Sequence, residues 1–180
     1  SPCAGDNLVS TPDFSLLGNN YGSSGGALAA VAYLDVGPTT TMFVDGLPTT
    51  DNVIDFEDLV MFALNYGVVS GPIASPMPLE ASTGSAANQL ALEAPGQVSA
   101  GAMVTARLTL RGSGNLVALS TKLTWDKAVV EPTGQAAGGW LTAQSGVAFS
   151  AAPGTVDAAV LRAQGMTGEG ELATLTFKVL

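Results

Sequence analysis

A chain of 180 residues is long enough for one or two domains with buried cores. Its net charge of -9, its single cysteine and its lack of histidine exclude several classes together. Cys3 has no partner for an internal disulfide, the Ser-His-Asp triad and the usual general base are missing, and a phosphate backbone would find few cations to hold it. No apolar run is long enough to span a membrane, so neither nucleic acid nor membrane insertion is expected.

The charge is unevenly placed. Asp6, Asp13, Asp35, Asp45, Asp51, Asp55, Glu57 and Asp58 all precede residue 80, and no Lys or Arg accompanies them. The remainder holds seven acids against six bases. Crowded carboxylates repel, and a folded segment tolerates them best around a cation.

From the N-terminus, "DNLVSTPDFSLLGNNYG" at 6–22 returns 45 residues later as "DNVIDFEDLVMFALNYG" at 51–67, with six of seventeen positions identical. Phe14 and Leu17, then Leu59, Phe62 and Ala63, fall at helical spacing. Short helices are therefore predicted over Pro12–Tyr21 and Phe56–Tyr66, each stopped by a glycine, and packed together through Phe14, Leu17, Leu59 and Phe62. Residues 68–89, rich in Pro and Ser, read as a linker or strap between regions 1–67 and 90–180. Beyond it the period becomes two. "AMVTARLTL", "NLVALSTKLTW", "TVDAAVLRA" and "ELATLTFKVL" alternate as half-buried strands do, and the turns between them suggest an antiparallel sandwich.

The second acidic repeat has the chemistry of a calcium loop, which needs closely spaced oxygens, a sharp turn and a closing carboxylate on the next helix. Asp51 and Asp55 can donate, Asn52 takes the turn, Val53 offers its carbonyl, Ile54 points inward and Asp58 closes the loop from the first helical turn. Helix capping alone would account for Asp13 and Asp58 singly, yet not for the 45-residue repetition or the missing bases.

These loop-and-helix repeats resemble dockerins, the paired calcium modules of extracellular scaffolds. The resemblance implies that "DVGPTTTMFVDGLPTTDNVIDFEDL" carries an insertion, with Asp35 as first ligand, residues 38 to 48 looping out, and Asp45 or Thr49 filling another position. In the first repeat Asp6, the Leu8 carbonyl, Ser10 and Asp13 match, but Pro2 and Ala4 stand where earlier donors belong.

The second half, through "APGQVSAGAMVTARLTL", "LVALSTKLTWDKAVVEPTG" and "GEGELATLTFKVL", is similar to cohesins, the jelly-roll receptors of dockerins. Cohesins continue past the segment matching "LATLTFKV", so the likeness implies a sandwich lacking its last strand or left with an unpaired edge. The fold expected is mainly β, a two-helix dockerin-like module plus an antiparallel jelly-roll sandwich. The function expected is a non-catalytic, secreted or cell-surface assembly protein using Ca2+, whose partners are cohesin- or dockerin-bearing proteins or other copies of itself, with head-to-tail filaments as one outcome. The alternative is a carbohydrate-binding or targeting fragment of a larger secreted glycoside hydrolase or scaffoldin. Trp125, Trp140, Tyr21, Tyr33 and Tyr66 could stack on sugar, but each fits a core or helix-end pattern better. Asp126 and Glu131 read as turn and edge residues rather than a glycosidase pair.

Overall fold

The computed structural model describes residues 6, 8–41, 46–67, 87–161 and 164–180. The chain divides into two compact units, residues 1–83 and 84–180. The 68–86 part of the predicted strap, along with Cys3 and Asp45, lies outside the described residues.

The first unit is built from the repeat. Helix α1 spans Thr11–Asn20 and α2 spans Phe56–Leu64, so the second predicted helix stops two residues short of Tyr66. Each begins with a capping box, Ser10 with Asp13 and Asp55 with Asp58. Phe14, Leu17, Leu59 and Ala63 are buried between them. Phe14 meets the rings of Phe62 and Tyr66 edge-on, at centroid distances of 5.8 and 5.7 Å.

The repeats also exchange main-chain bonds. The Gly22 N–H donates to the Ile54 carbonyl at 2.7 Å, and 45 residues later Gly67 N–H donates to the Val9 carbonyl at 2.8 Å. Both glycines have positive φ, 82° and 73°, and so turn the chain after each helix at no steric cost. The identical "NYG" closures thus serve one purpose: each ends its own helix and ties it to the other repeat's loop. Two short 3-10 segments, Gly25–Ala30 and Ala32–Leu34, which the periodicity does not reveal, bury Leu28 and Leu34 on the way to the second repeat.

The second unit is two antiparallel sheets. One has the order β1 (Gln89–Glu93), β2 (Met103–Ser113), β7 (Thr167–Val179), β4 (Val130–Ala137). The other has the order β3 (Ala118–Lys122), β6 (Thr155–Val160), β5 (Gly146–Phe149). Ala106, Leu108 and Leu110 of β2 and Leu172, Leu175 and Phe177 of β7 share one core with Val156, Ala158 and Val160 of β6. The short helix α3 (Gly139–Ala143) adds Leu141. The four strands read from alternation appear as β2, β3, β6 and β7. Strand β4 escapes that reading because "VEPTGQAA" holds Pro and Gly, and its ladder with β7 shifts register between Pro132 and Gly134.

Because Phe14 joins the two helices, Phe14→Ala is expected to cost about 3–5 kcal/mol, comparable to the whole stability of so small a unit. Loss of amide dispersion for residues 11–20 and 56–64 in an NMR spectrum would report it; retained protection there would show that the aromatic cluster is not what holds the helices together.

Candidate metal centre

Asp35 and Asp58 are the buried carboxylates of the first unit among the described residues, 6% and 1% exposed. Between Asp35 and the second loop, residues 38–40 pair with 47–49. Thr40 N–H donates to the Leu47 carbonyl at 2.9 Å, Thr49 N–H donates to that of Pro38 at 2.7 Å, and the Thr49 hydroxyl donates to the same Pro38 oxygen at 3.0 Å. Asp35 bonds the second loop although it stands 16 positions before Asp51.

Asp58 holds the junction. One carboxylate oxygen accepts the N–H of Val36 at 2.6 Å and of Gly37 at 2.8 Å, and the other accepts the N–H of Asp55 at 2.8 Å. Gly37 is required here, because a Cβ would lie 2.6 Å from the main chain of Glu57. Asp35 accepts the Asn52 N–H through Oδ2 at 3.0 Å. Its Oδ1 is buried and has no hydrogen-bond partner. Asn52 stands at φ 66°, the left-handed turn assigned to it from sequence.

The remaining predicted donors are engaged locally. Asp51 accepts the Val53 N–H at 2.9 Å and Asp55 that of Glu57 at 3.3 Å. In the first repeat Asp6, exposed, accepts the Leu8 N–H at 3.0 Å, and Asp13 accepts the Ser10 N–H at 2.8 Å and its hydroxyl at 3.0 Å. The two loops are therefore built alike at corresponding positions. They differ in that, among the described residues, only the second receives a distant carboxylate, Asp35. Among the described residues no three acidic, cysteine or histidine side chains are gathered as they stand to hold an ion.

Electrostatics follow the crowding. Burial pushes the Asp58 carboxyl up to about 6, the charge of Asp35 adds to this, and the bonds from Asp55, Gly37 and Val36 oppose it. Burial, then the charges of Asp55 and Asp51, raise Glu57 as well. An orphaned buried oxygen beside mutually repelling carboxylates suits a hard cation with oxygen ligands.

No protein-family model, curated protein or solved structure matches this chain. The site rests on its own geometry.

Other predicted residues take structural places. Trp125 meets the Phe177 ring edge-on at 5.5 Å, and Trp140 also packs against the sandwich core. Tyr66 shares the Phe14 cluster, whereas Tyr33 is exposed. Asp126 accepts the Ala128 N–H in a turn, and Glu131 pairs across the ladder with Lys178. One feature escaped sequence reasoning: a groove of about 460 Å³ between Pro38–Thr41 and the face of α2 carrying Phe56, Val60, Met61 and Leu64. Its signal was present in "FEDLVMFAL", apolar on more of its circumference than one packing face requires.

Asp58→Ala would leave three N–H groups without their acceptor and is expected to cost on the order of 3 kcal/mol, against about 1 kcal/mol for Asp13→Ala at the more open first loop. Urea unfolding of the two variants would compare them, and equal costs would mean that Asp58 is no more than a helix cap.

Proposed function

We propose that this is a non-catalytic, extracellular assembly protein, in which a dockerin-like unit stabilised by Ca2+ and a cohesin-like jelly-roll sandwich make contacts with other proteins. The observation that carries the reading is Asp35: a carboxylate brought from outside the loop, one oxygen bonded to the turn residue Asn52 and the other buried without a partner. Asp35, Asp51, Asp55, Asp58 and the Val53 carbonyl supply the oxygen set that calcium takes. Gathering the exposed Asp51 and half-buried Asp55 toward Asp35 requires breaking one local N–H bond for each, worth about 0.5–1.5 kcal/mol apiece. Asp6 and Asp13 would form the weaker, incomplete counterpart.

Protein contact rather than chemistry is supported by the apolar groove on α2, flanked by Glu57 in a unit without any base among its first 79 residues. All six bases lie in the other half. Contact between the acidic unit of one copy and bases in the other half of the next would run head to tail, a heterologous arrangement that generates rings or filaments.

Calcium at a hundredfold excess over Kd would add about 2.7 kcal/mol to the stability of the unit that binds it. A higher Tm in calcium than in chelator is expected for the wild type and for Asp126→Ala, and no calcium-dependent rise for Asp35→Ala. Superimposable wild-type melts in calcium and chelator would refute the metal centre. Assembly is read separately by sedimentation, where growth beyond a dimer should require calcium.

A further inference from the structure

Four strands end the two sheets, and three carry devices that discourage pairing with another chain. β4 contains Pro132 and a register shift, β3 presents exposed Lys122, and β5 is only four residues long. β1 is the least guarded: "QLALE" contains no proline, bulge, lysine or inward charge, its one acid, Glu93, lies on the outer side, and all five residues are exposed. Its leucines also face the wrong medium. Leu90 and Leu92 pair directly with Leu110 and Leu108, so they share the core-facing side of the sheet. Their partners are 2% exposed, while Leu90 and Leu92 are 43% and 53% exposed, because the opposing sheet has one strand fewer among the described residues.

The pattern of β1 is self-complementary. Gln-Leu-Ala-Leu-Glu reads almost alike in both directions about Ala91. An antiparallel copy centred there sets each Leu90 against the other chain's Leu92, which closes four leucines over the open flank. On the outer side each Glu93 falls opposite Gln89 of the other chain, whose own neighbour across β2 is Arg111. That guanidinium stands two strand spacings, about 10 Å, from the carboxylate, a span that the two long side chains cover together. A one-residue slip would put leucine on the polar side, and a two-residue slip would lose this charge match.

We propose that β1 is the edge through which two copies of this chain join, antiparallel about a twofold axis at Ala91, to form one eight-stranded sheet. The contact is isologous and closes at two, unlike head-to-tail growth, and it does not rest on the calcium reading. It is small, so the dimer exchanges with monomer, with Kd in about the micromolar range.

The axis gives a specific test, because opposed residues of antiparallel strands bring their Cα atoms within disulfide reach. With Cys3 replaced by Ser, Ala91→Cys in the full-length chain should form a covalent dimer on mild oxidation, on the order of tenfold faster than the exposed control Ala143→Cys. In chelator, sedimentation of the wild type should show a concentration-dependent dimer, and Leu92→Lys, at a position already half exposed, should remain a folded monomer by circular dichroism. Crosslinking of Ala91→Cys no faster than the control would overturn the proposal, as would a wild type that stays monomeric, which would leave the edge to a strand from another protein. A dimer that survives Leu92→Lys would place the interface elsewhere and overturn it equally.

Discussion

The first unit depends on a buried carboxylate that is asked to do two things. Asp58 caps α2 through the Asp55 N–H and also gathers the N–H groups of Val36 and Gly37, from a segment more than twenty residues away. A neutral side chain at this place could cap the helix, but would not draw three donors into a dry site. The cost appears in the carboxyl itself, which burial pushes up to about 6 in spite of those three bonds. Asp35 lies next to it, and its second oxygen has no donor at all. One arrangement therefore both ties Val36 and Gly37 to the start of α2 and concentrates negative charge that the chain's own first 79 residues hold no base to offset.

The repeat shows how two similar segments can share an architecture and diverge in chemistry. Gly22 and Gly67 exchange their N–H bonds with Ile54 and Val9, and Asp6 and Asp51 close equivalent turns. This reciprocity lets two helices of ten and nine residues hold together where neither would persist alone. The difference is Asp35, which bonds the second loop at Asn52 and brings a buried, unsatisfied oxygen that the first loop lacks among the described residues.

In the second unit the sheets are unequal, four strands against three, and this inequality has consequences at the edges. Where both sheets overlap, alternation buries Leu108, Leu110, Leu172 and Leu175. At β1 the same alternation puts leucines on the inner side, where they stay about half exposed. The strand obeys the period of its sheet while, among the described residues, the facing sheet has no strand to cover it, which leaves an apolar edge there.

The sequence by itself determined what is local or periodic. The 3.6 spacing of Phe14, Leu17, Leu59 and Phe62 placed the two helices, the period of two placed β2, β3, β6 and β7, and the 45-residue repeat with its acids located the loop and the turn at Asn52. These were legible because each depends on neighbours within a few residues. Tertiary structure alone decided the rest. Whether Asp35 reaches the loop depends on bonds between residues distant in sequence, such as those of Val36 and Gly37 to Asp58, and whether Leu90 is core or edge depends on how many strands the facing sheet has. Strand β4 was hidden because its Pro and Gly argue locally against a strand, whereas its ladder partner β7, about 45 residues away, holds it in the sheet. Pairing partners are chosen by the whole chain, and no window of the sequence contains them.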